Sequence, residues 1–159
     1  MITNEQLILR FYQAFQHKDY QTMQDCYADE ATFSDEVFKN LSAQEVGSMW
    51  EMLLKRGQDL VIDFENIQAD DQKGSAEWKA TYTFSRTKRK VINRIKAEFR
   101  FENGKIIQHT DRFRFHKWAS QALGATGLLL GWTGFLRRKV QQNAMESLRA
   151  YMRQKGNIL

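Results

Sequence analysis

The sequence contains no proline and a single cysteine in 159 residues. Without proline, its turns must rely on glycine, asparagine and aspartate. The lone Cys26 excludes an internal disulfide and fits a reducing, cytoplasmic setting, and it reads as a small buried apolar residue. No apolar run approaches the ~20 residues that cross a bilayer. The opening stretch MITNEQLILRFY has neither the basic nor the separate apolar segment of a secretory signal. Histidine is scarce as well, at three. Neither the histidines nor Cys26 fall at a metal-ligand spacing, so no metal is expected. Gly124 to Gly127 follows a helix and fits no nucleotide-binding fingerprint, so no cofactor is expected either. No repeat, low-complexity segment or linker divides the chain.

What is present favours one folded domain. Apolar residues make up 42% of the chain and aromatics 13%, enough for a core at this length. Charge is unevenly spread. Residues 1–71 hold 5 Lys/Arg and 14 Asp/Glu, a net of −9, whereas residues 72–159 hold 19 and 5, a net of +14. Such asymmetry fits an anionic partner, or an acidic half pairing with a basic half within the domain or across a dimer. The basic turn 86–90, with Arg94, Lys96 and Arg100, could meet phosphates, but it reads more simply as a solvated or salt-bridged face, and no nucleic acid is expected.

Periodicity predicts a helix over residues 5–17, with Leu7, Phe11, Ala14 and Phe15 at helical spacing and Thr3 or Asn4 as cap. A short helix capped by Asp19 spans 20–28, and a short strand 31–38 places Phe33, Asp35 and Val37 on one face. Ser42 and Glu45 form a capping box for a third helix ending at Gly57, with Val46, Met49, Trp50, Leu53 and Leu54 as its stripe. Alternation then predicts strands over 58–69, 75–86 and 91–101. Trp78, Ala80, Tyr82 and Phe84 share a face of the second. Val91, Asn93, Ile95, Ala97, Phe99 and Phe101 point inward from the third.

An Asn103-Gly104 hairpin turn leads into a long strand predicted over 105–118. One face of it carries Ile107, His109, Asp111, Phe113 and Phe115. A carboxylate and a histidine side by side among aromatic rings form the arrangement from which acid/base chemistry is built. After Trp118, residues 117–123 and 134–154 read as helices, the latter with Leu136, Val140, Ala144, Leu148, Tyr151 and Met152 as its stripe. Between them GLLLGWTGF followed by RRK joins an apolar face to a basic edge. The tail therefore reads as a core or dimer helix, or as an element meeting a membrane surface.

FYQAF, YADEATF and FRFENGKIIQHTDRFRF together resemble the nuclear transport factor 2-like superfamily, most of all its SnoaL-like and ketosteroid isomerase-like group. The resemblance covers residues 5 to about 117. It implies an α+β fold: a cone-shaped, curved antiparallel sheet packed on three N-terminal helices, enclosing an apolar pocket and commonly forming a homodimer. The domain is expected over 1–117, with a C-terminal helical extension over 118–159 packed on it. In the isomerases of this group the general base would fall on Asp35. The two oxyanion donors would fall on Phe11 and Ala97, neither of which donates a hydrogen bond. The adjacent Tyr12 is one step around the helix and is expected to point elsewhere than Phe11, so steroid isomerisation by that route is not expected.

SnoaL-like cyclases place an acid/base aspartate in an H-x-D context on the last long strand, which His109 and Asp111 match. The resemblance thus implies a protein that binds a small apolar molecule. Asp111, His109 and Asp35 would do acid/base work as an isomerase, cyclase, dehydratase or epoxide hydrolase. Tyr12, Phe15, Trp50, Trp78, Tyr82, Asn93 and Phe113 would line the pocket. The alternative is a non-catalytic interaction module whose C-terminal helix meets a partner or a membrane.

Overall fold

Thr3 and Ser42 each accept a hydrogen bond from the backbone N–H three residues on, while Gln6 and Glu45 there accept one from the cap's own N–H. These capping boxes start α1 (Asn4–Gln16) and α3 (Ala43–Arg56), and Asp19 caps the short α2 (Tyr20–Asp25). The computed structural model describes residues 1–156. Its strands are β1 (Tyr27–Ser34), β2 (Leu41–Ser42), β3 (Val61–Ala69), β4 (Lys73–Phe84), β5 (Arg89–Glu102) and β6 (Lys105–Arg112). Three helices follow: α4 (Phe115–Leu123), α5 (Ala125–Leu130) and α6 (Gly134–Gln154). The expected extension to residue 159 includes 157–159, which lie outside the described residues.

The strands form one sheet in the order β2-β1-β6-β5-β4-β3. β3 to β6 are the antiparallel meander that alternation predicts, and Asn103 and Gly104 turn β5 into β6 with φ of 51° and 75°. Such a turn needs positive φ at both positions. β1, however, runs parallel to β6, so the sheet is mixed rather than wholly antiparallel. The chain between the two strands contains α3 and the rest of the meander, ample length for a parallel crossover. Register shifts in the β1–β6, β3–β4 and β5–β6 pairs mark bulges, which bend the sheet around α1 and α3.

Two bulge and boundary effects correct the sequence reading of the last strand. The shift between Arg100 and Phe101 pairs Phe101 with Ile106, so Ile106, not Ile107, joins His109 and Asp111 in the core. The strand also ends at Arg112. Phe115, Trp118, Ala119 and Ala122 are the buried stripe of α4, at helical spacing. The alternation of Phe113 and Phe115 resembled a strand only because it overlapped the start of that stripe. In α3, Met52 is buried where Leu53 was expected, and Leu53 faces solvent.

The C-terminal helices cover one end of the main core. Val91, Phe115, Trp118, Ala119, Ala122 and Leu136 form a second cluster against Tyr82 and Phe113. At its far end α6 returns Leu148, Tyr151 and Met152 to the main core. Polar ties hold both ends. Trp118 Nε1 donates to the Tyr82 hydroxyl at 2.8 Å, Arg137 pairs with Glu36 at 3.0 Å, and the Tyr151 hydroxyl donates to Glu51 at 2.6 Å.

α4 and α5 meet at Gly127, where an added Cβ would lie 1.9 Å from the Ala119 carbonyl oxygen. Backbone cannot yield as a flexible side chain can. Gly127→Ala is therefore expected to destabilise the protein by about 3 kcal/mol or more, read as a lower urea midpoint. Thr126→Ala, at an exposed neighbour, is expected to stay within about 0.5 kcal/mol of the parent. Equal midpoints for the parent and Gly127→Ala would contradict this packing.

Candidate functional site

The parallel pairing of β1 with β6 sets Phe33 directly beside His109, and the antiparallel pairing of β5 with β6 sets Phe99 on its other side. His109 is thus enclosed at strand level, with ring centroids 4.9 Å from Phe33 and 4.4 Å from Phe99. α1 adds Phe11 at 5.7 Å, and α3 adds Trp50, stacked at 6.3 Å. Two residues on along β6, Asp111 shares the face and is equally buried. A histidine and an aspartate deep in an aromatic shell keep their polar atoms satisfied only through each other and through a few placed donors.

Those donors form a chain. Trp50 Nε1 donates to the Tyr27 hydroxyl at 3.0 Å, and that hydroxyl lies 2.8 Å from His109 Nδ1. His109 Nε2 lies 2.9 Å from Asp111 Oδ1, which also accepts from Trp78 Nε1 at 3.3 Å. One assignment satisfies every member. Tyr27 donates to a bare Nδ1, the imidazole carries its proton on Nε2, and Nε2–H donates to the ionised carboxylate. The indole N–H groups can only donate, which fixes the direction at both ends. Burial pushes the Tyr27 hydroxyl pKa well up; the Trp50 hydrogen bond opposes this and the Asp111 charge adds to it, so Tyr27 stays a donor.

Tyr12 stands beside this chain. It is fully buried, stacks on Phe64 at 5.4 Å and meets Trp78 at 6.2 Å. Its hydroxyl is the buried side-chain polar atom that lacks a hydrogen-bond partner among the described residues. Burial, and then the Asp111 charge, push its pKa well up, so it too keeps its proton. Tyr12 points elsewhere than Phe11, as expected, but it too enters the core. The two side chains split around the helix, Phe11 toward His109 and Tyr12 toward Trp78. Ala97 is the cross-strand partner of Asp111. The carboxyl therefore enters from the strand beside the one that the isomerase pattern would use.

The structure brings together Asp111, His109, Tyr12, Phe15, Trp50 and Trp78, with Phe15 meeting both Trp50 and Trp78 at centroid distances of 5.0 and 5.2 Å. The remaining expected residues take no part in that hydrogen-bonded chain. Tyr82 and Phe113 sit where the two hydrophobic clusters meet, under Trp118. Asn93 is half-buried opposite Ala80, outside the hydrogen-bonded chain. Asp35 lies past the end of β1, where Oδ1 accepts the backbone N–H groups of Val37 and Phe38 at 2.7 and 2.6 Å. Burial pushes its carboxyl up to about 6 against those two donors, and the Asp111 charge adds to the rise.

Sequence reasoning missed Tyr27, the residue that orients His109. The helix predicted over 20–28 would include it, but α2 ends at Asp25 and Tyr27 begins β1. The spacing of Tyr27, Ala31 and Phe33 held the signal, interrupted by the register shift between Tyr27 and Thr32. Two hollows, of about 220 and 470 Å³, lie at the surface. One lies on the sheet near Arg100 and Gln108, the other between α2 and α3. Neither is lined by His109 or Asp111. Among the described residues no group of three His, Cys, Asp or Glu side chains could hold a metal ion, and no helix is long and apolar enough to cross a membrane.

Comparison with known proteins agrees with this architecture. No curated protein matches the sequence significantly. Solved structures match the fold at low identity. An NTF2-like protein of unknown function from Burkholderia pseudomallei aligns with a TM-score of 0.61 at 15% identity, over 70% of this chain and 92% of its own. A candidate polyketide cyclase from Pseudomonas putida aligns at 0.65 and 16%, over 77% and 99%. An LEH-like epoxide hydrolase from M. tuberculosis aligns at 0.61 and 16%, over 79% and 94%. The model of the SnoaL-like domain matches residues 8–109, most of the chain. The mixed sheet, the enclosing helices and this match agree: the chain belongs to the SnoaL-like domain family of the NTF2-like superfamily.

Proposed function

We propose that this protein binds a small apolar molecule bearing a carbonyl or an epoxide oxygen, and that Asp111 and His109 perform acid/base chemistry on it. The observation that carries the reading is the unpartnered Tyr12 hydroxyl in the same buried shell as the Asp111–His109 pair. An orphaned buried donor costs about 1–3 kcal/mol, and a ligand oxygen accepting from Tyr12 would remove that cost. With the oxygen held there, Asp111 is the base for a neighbouring C–H or for an attacking water. His109, oriented by Tyr27, donates from Nε2 to the carboxylate and holds it in place. Two of the structural neighbours, the candidate polyketide cyclase and the LEH-like epoxide hydrolase, carry names from these reaction classes.

Entry would be at the end of the core beneath Trp118, where Tyr82 and Phe113 lie, so α4 and α6 would have to shift for a ligand to pass. The reading includes a cytoplasmic homodimer, as the lone cysteine and the family resemblance suggest. A second reading, a non-catalytic interaction module, is favoured by one observation: the space around His109 is filled by Phe11, Phe33, Trp50 and Phe99.

Two variants separate the readings. Tyr12→Phe removes the orphaned hydroxyl and keeps the ring. It is expected to raise the melting temperature of the free protein by roughly 2–6 °C, from about 1–2 kcal/mol at this chain length. It is also expected to reduce the thermal shift given by apolar ketones and epoxides in a ligand screen. A lower melting temperature would mean that the hydroxyl is already satisfied. Once a substrate is found, Asp111→Asn is expected to fold normally and to lose about 10²–10⁴ in turnover. Unchanged turnover would rule Asp111 out as the catalytic base.

Asp35 gives a pH signature. Its folded pKa of about 6 is raised from an ordinary 3.8, so the folded state holds the proton longer than the unfolded one. The associated stability is fully present below about pH 4 and is lost as pH rises through about 6. Asp35→Asn keeps an oxygen for the two backbone donors but cannot ionise. Its advantage over the parent is expected to be absent below pH 4, to grow between pH 4 and 6, and to level off at roughly 1–3 kcal/mol. Urea unfolding across that range measures it, and a constant difference would contradict the burial of this carboxyl.

A further inference from the structure

Exposed apolar side chains are not scattered evenly over the surface. Of the 11 large hydrophobic residues exposed among the described residues, five fall within residues 128–135: Leu128, Leu129, Leu130, Trp132 and Phe135, at 42% to 75% exposure. They occupy α5, the following turn and the first turn of α6. The fold holds this apex in shape. Gly127 packs against the Ala119 backbone, His116 stacks on the Trp132 indole at 3.9 Å, and Thr133 caps α6. Single exposed leucines are ordinary on soluble proteins, but five together on an ordered protrusion are not.

The surroundings indicate what covers it. From residue 112 to 145 the chain has six Lys/Arg and no Asp/Glu. Lys117, Arg138 and Lys139 are exposed on the helices that flank the apex, and the Arg89 side chain lies against Gly124 at the α4–α5 junction. Among the described residues, Arg137 alone of the 137–139 triplet forms a salt bridge, with Glu36. A second copy of this chain would bring the same cations face to face, which opposes self-association. A projecting set of leucines with one tryptophan and one phenylalanine, edged by cations, is instead the chemistry of insertion at a lipid–water boundary. Among the described residues no helix is long and apolar enough to cross a bilayer, so a lipid contact at this apex would be with the surface.

We propose that residues 128–135 dock on an anionic lipid surface, with Leu128, Leu129, Trp132 and Phe135 entering the headgroup region and Lys117, Arg138 and Lys139 meeting lipid phosphates. This docking is independent of whether Asp111 does chemistry. The same segment is continuous with α4 and α6, which cover the end of the core near Tyr82.

The test is co-sedimentation of the full chain with vesicles of phosphatidylcholine alone and of phosphatidylcholine mixed with phosphatidylglycerol, with tryptophan emission recorded in parallel. Trp50, Trp78 and Trp118 are already buried, so a blue shift on binding reports Trp132. Binding to the anionic vesicles with a blue shift is expected, weakening as salt is raised. A Trp132→Ser, Phe135→Ser variant keeps every charge and is expected to bind at least about tenfold more weakly. An Arg138→Glu, Lys139→Glu variant is expected to lose the preference for anionic vesicles. Three results would each overturn the proposal: no binding to anionic vesicles, undiminished binding by the Trp132→Ser, Phe135→Ser variant (charge attraction alone), or a dimer in solution that this variant dissociates.

Discussion

The interior of this protein depends on keeping a histidine and a carboxylate together inside a shell of rings. Moving an ion out of water costs several kcal/mol even after relaxation. Asp111 is enclosed by Trp78, His109 and the Ala97 backbone strand, and the neutral His109 serves it as a hydrogen-bond donor. Everything around it reduces that cost. Trp78 and His109 both direct N–H groups at Oδ1, Tyr27 sets the tautomer of His109, and Trp50 sets the hydroxyl of Tyr27. Four elements, β1, β4, β6 and α3, must each be in register for the chain of bonds to close. A fold seeking stability alone could fill this volume with leucine; the polar chain and the orphaned Tyr12 hydroxyl are the reasons to look for chemistry here.

Much of this was legible in the sequence because local patterns and global packing agree. Alternation along β4 and β5, the Asn103-Gly104 turn and the capping boxes at Thr3 and Ser42 each report a local preference that the tertiary structure keeps. His109 and Asp111 were legible as neighbours because two residues along a strand share a face. What escaped was non-local. The parallel β1–β6 pairing depends on a crossover and leaves no periodic trace. Tyr27 reaches His109 across 82 residues of sequence. The bulge at Arg100–Phe101 moves Ile106 inward by shifting the register one residue, a change that alternation cannot signal. The turn geometry of Asp35 left no trace either; two backbone amides donate to one of its oxygens.

The charge asymmetry resolves into two parts. Three of the recorded salt bridges join the acidic first half to the basic second half: Lys79 with Asp63, Arg137 with Glu36 and Lys155 with Glu51. Internal pairing therefore accounts for part of the imbalance, and it ties the C-terminal helices to the domain. Lys117, Arg138 and Lys139 beside residues 128–135, like the cations of the 86–100 face, take no part in these three pairs. The C-terminal extension thus faces two ways, with Trp118 and Leu136 buried over the end of the core and Trp132 and Phe135 turned to the exterior.

The central claim is the hydrogen-bonded chain through His109, and nitrogen NMR of the histidine side chains in the full protein at neutral pH tests it most directly. The chain requires His109 to be a single neutral tautomer with its proton on Nε2 and Nδ1 bare, protected from solvent exchange, and altered in shift by Tyr27→Phe. A proton found on Nδ1, or a ring averaging between both tautomers, would contradict it.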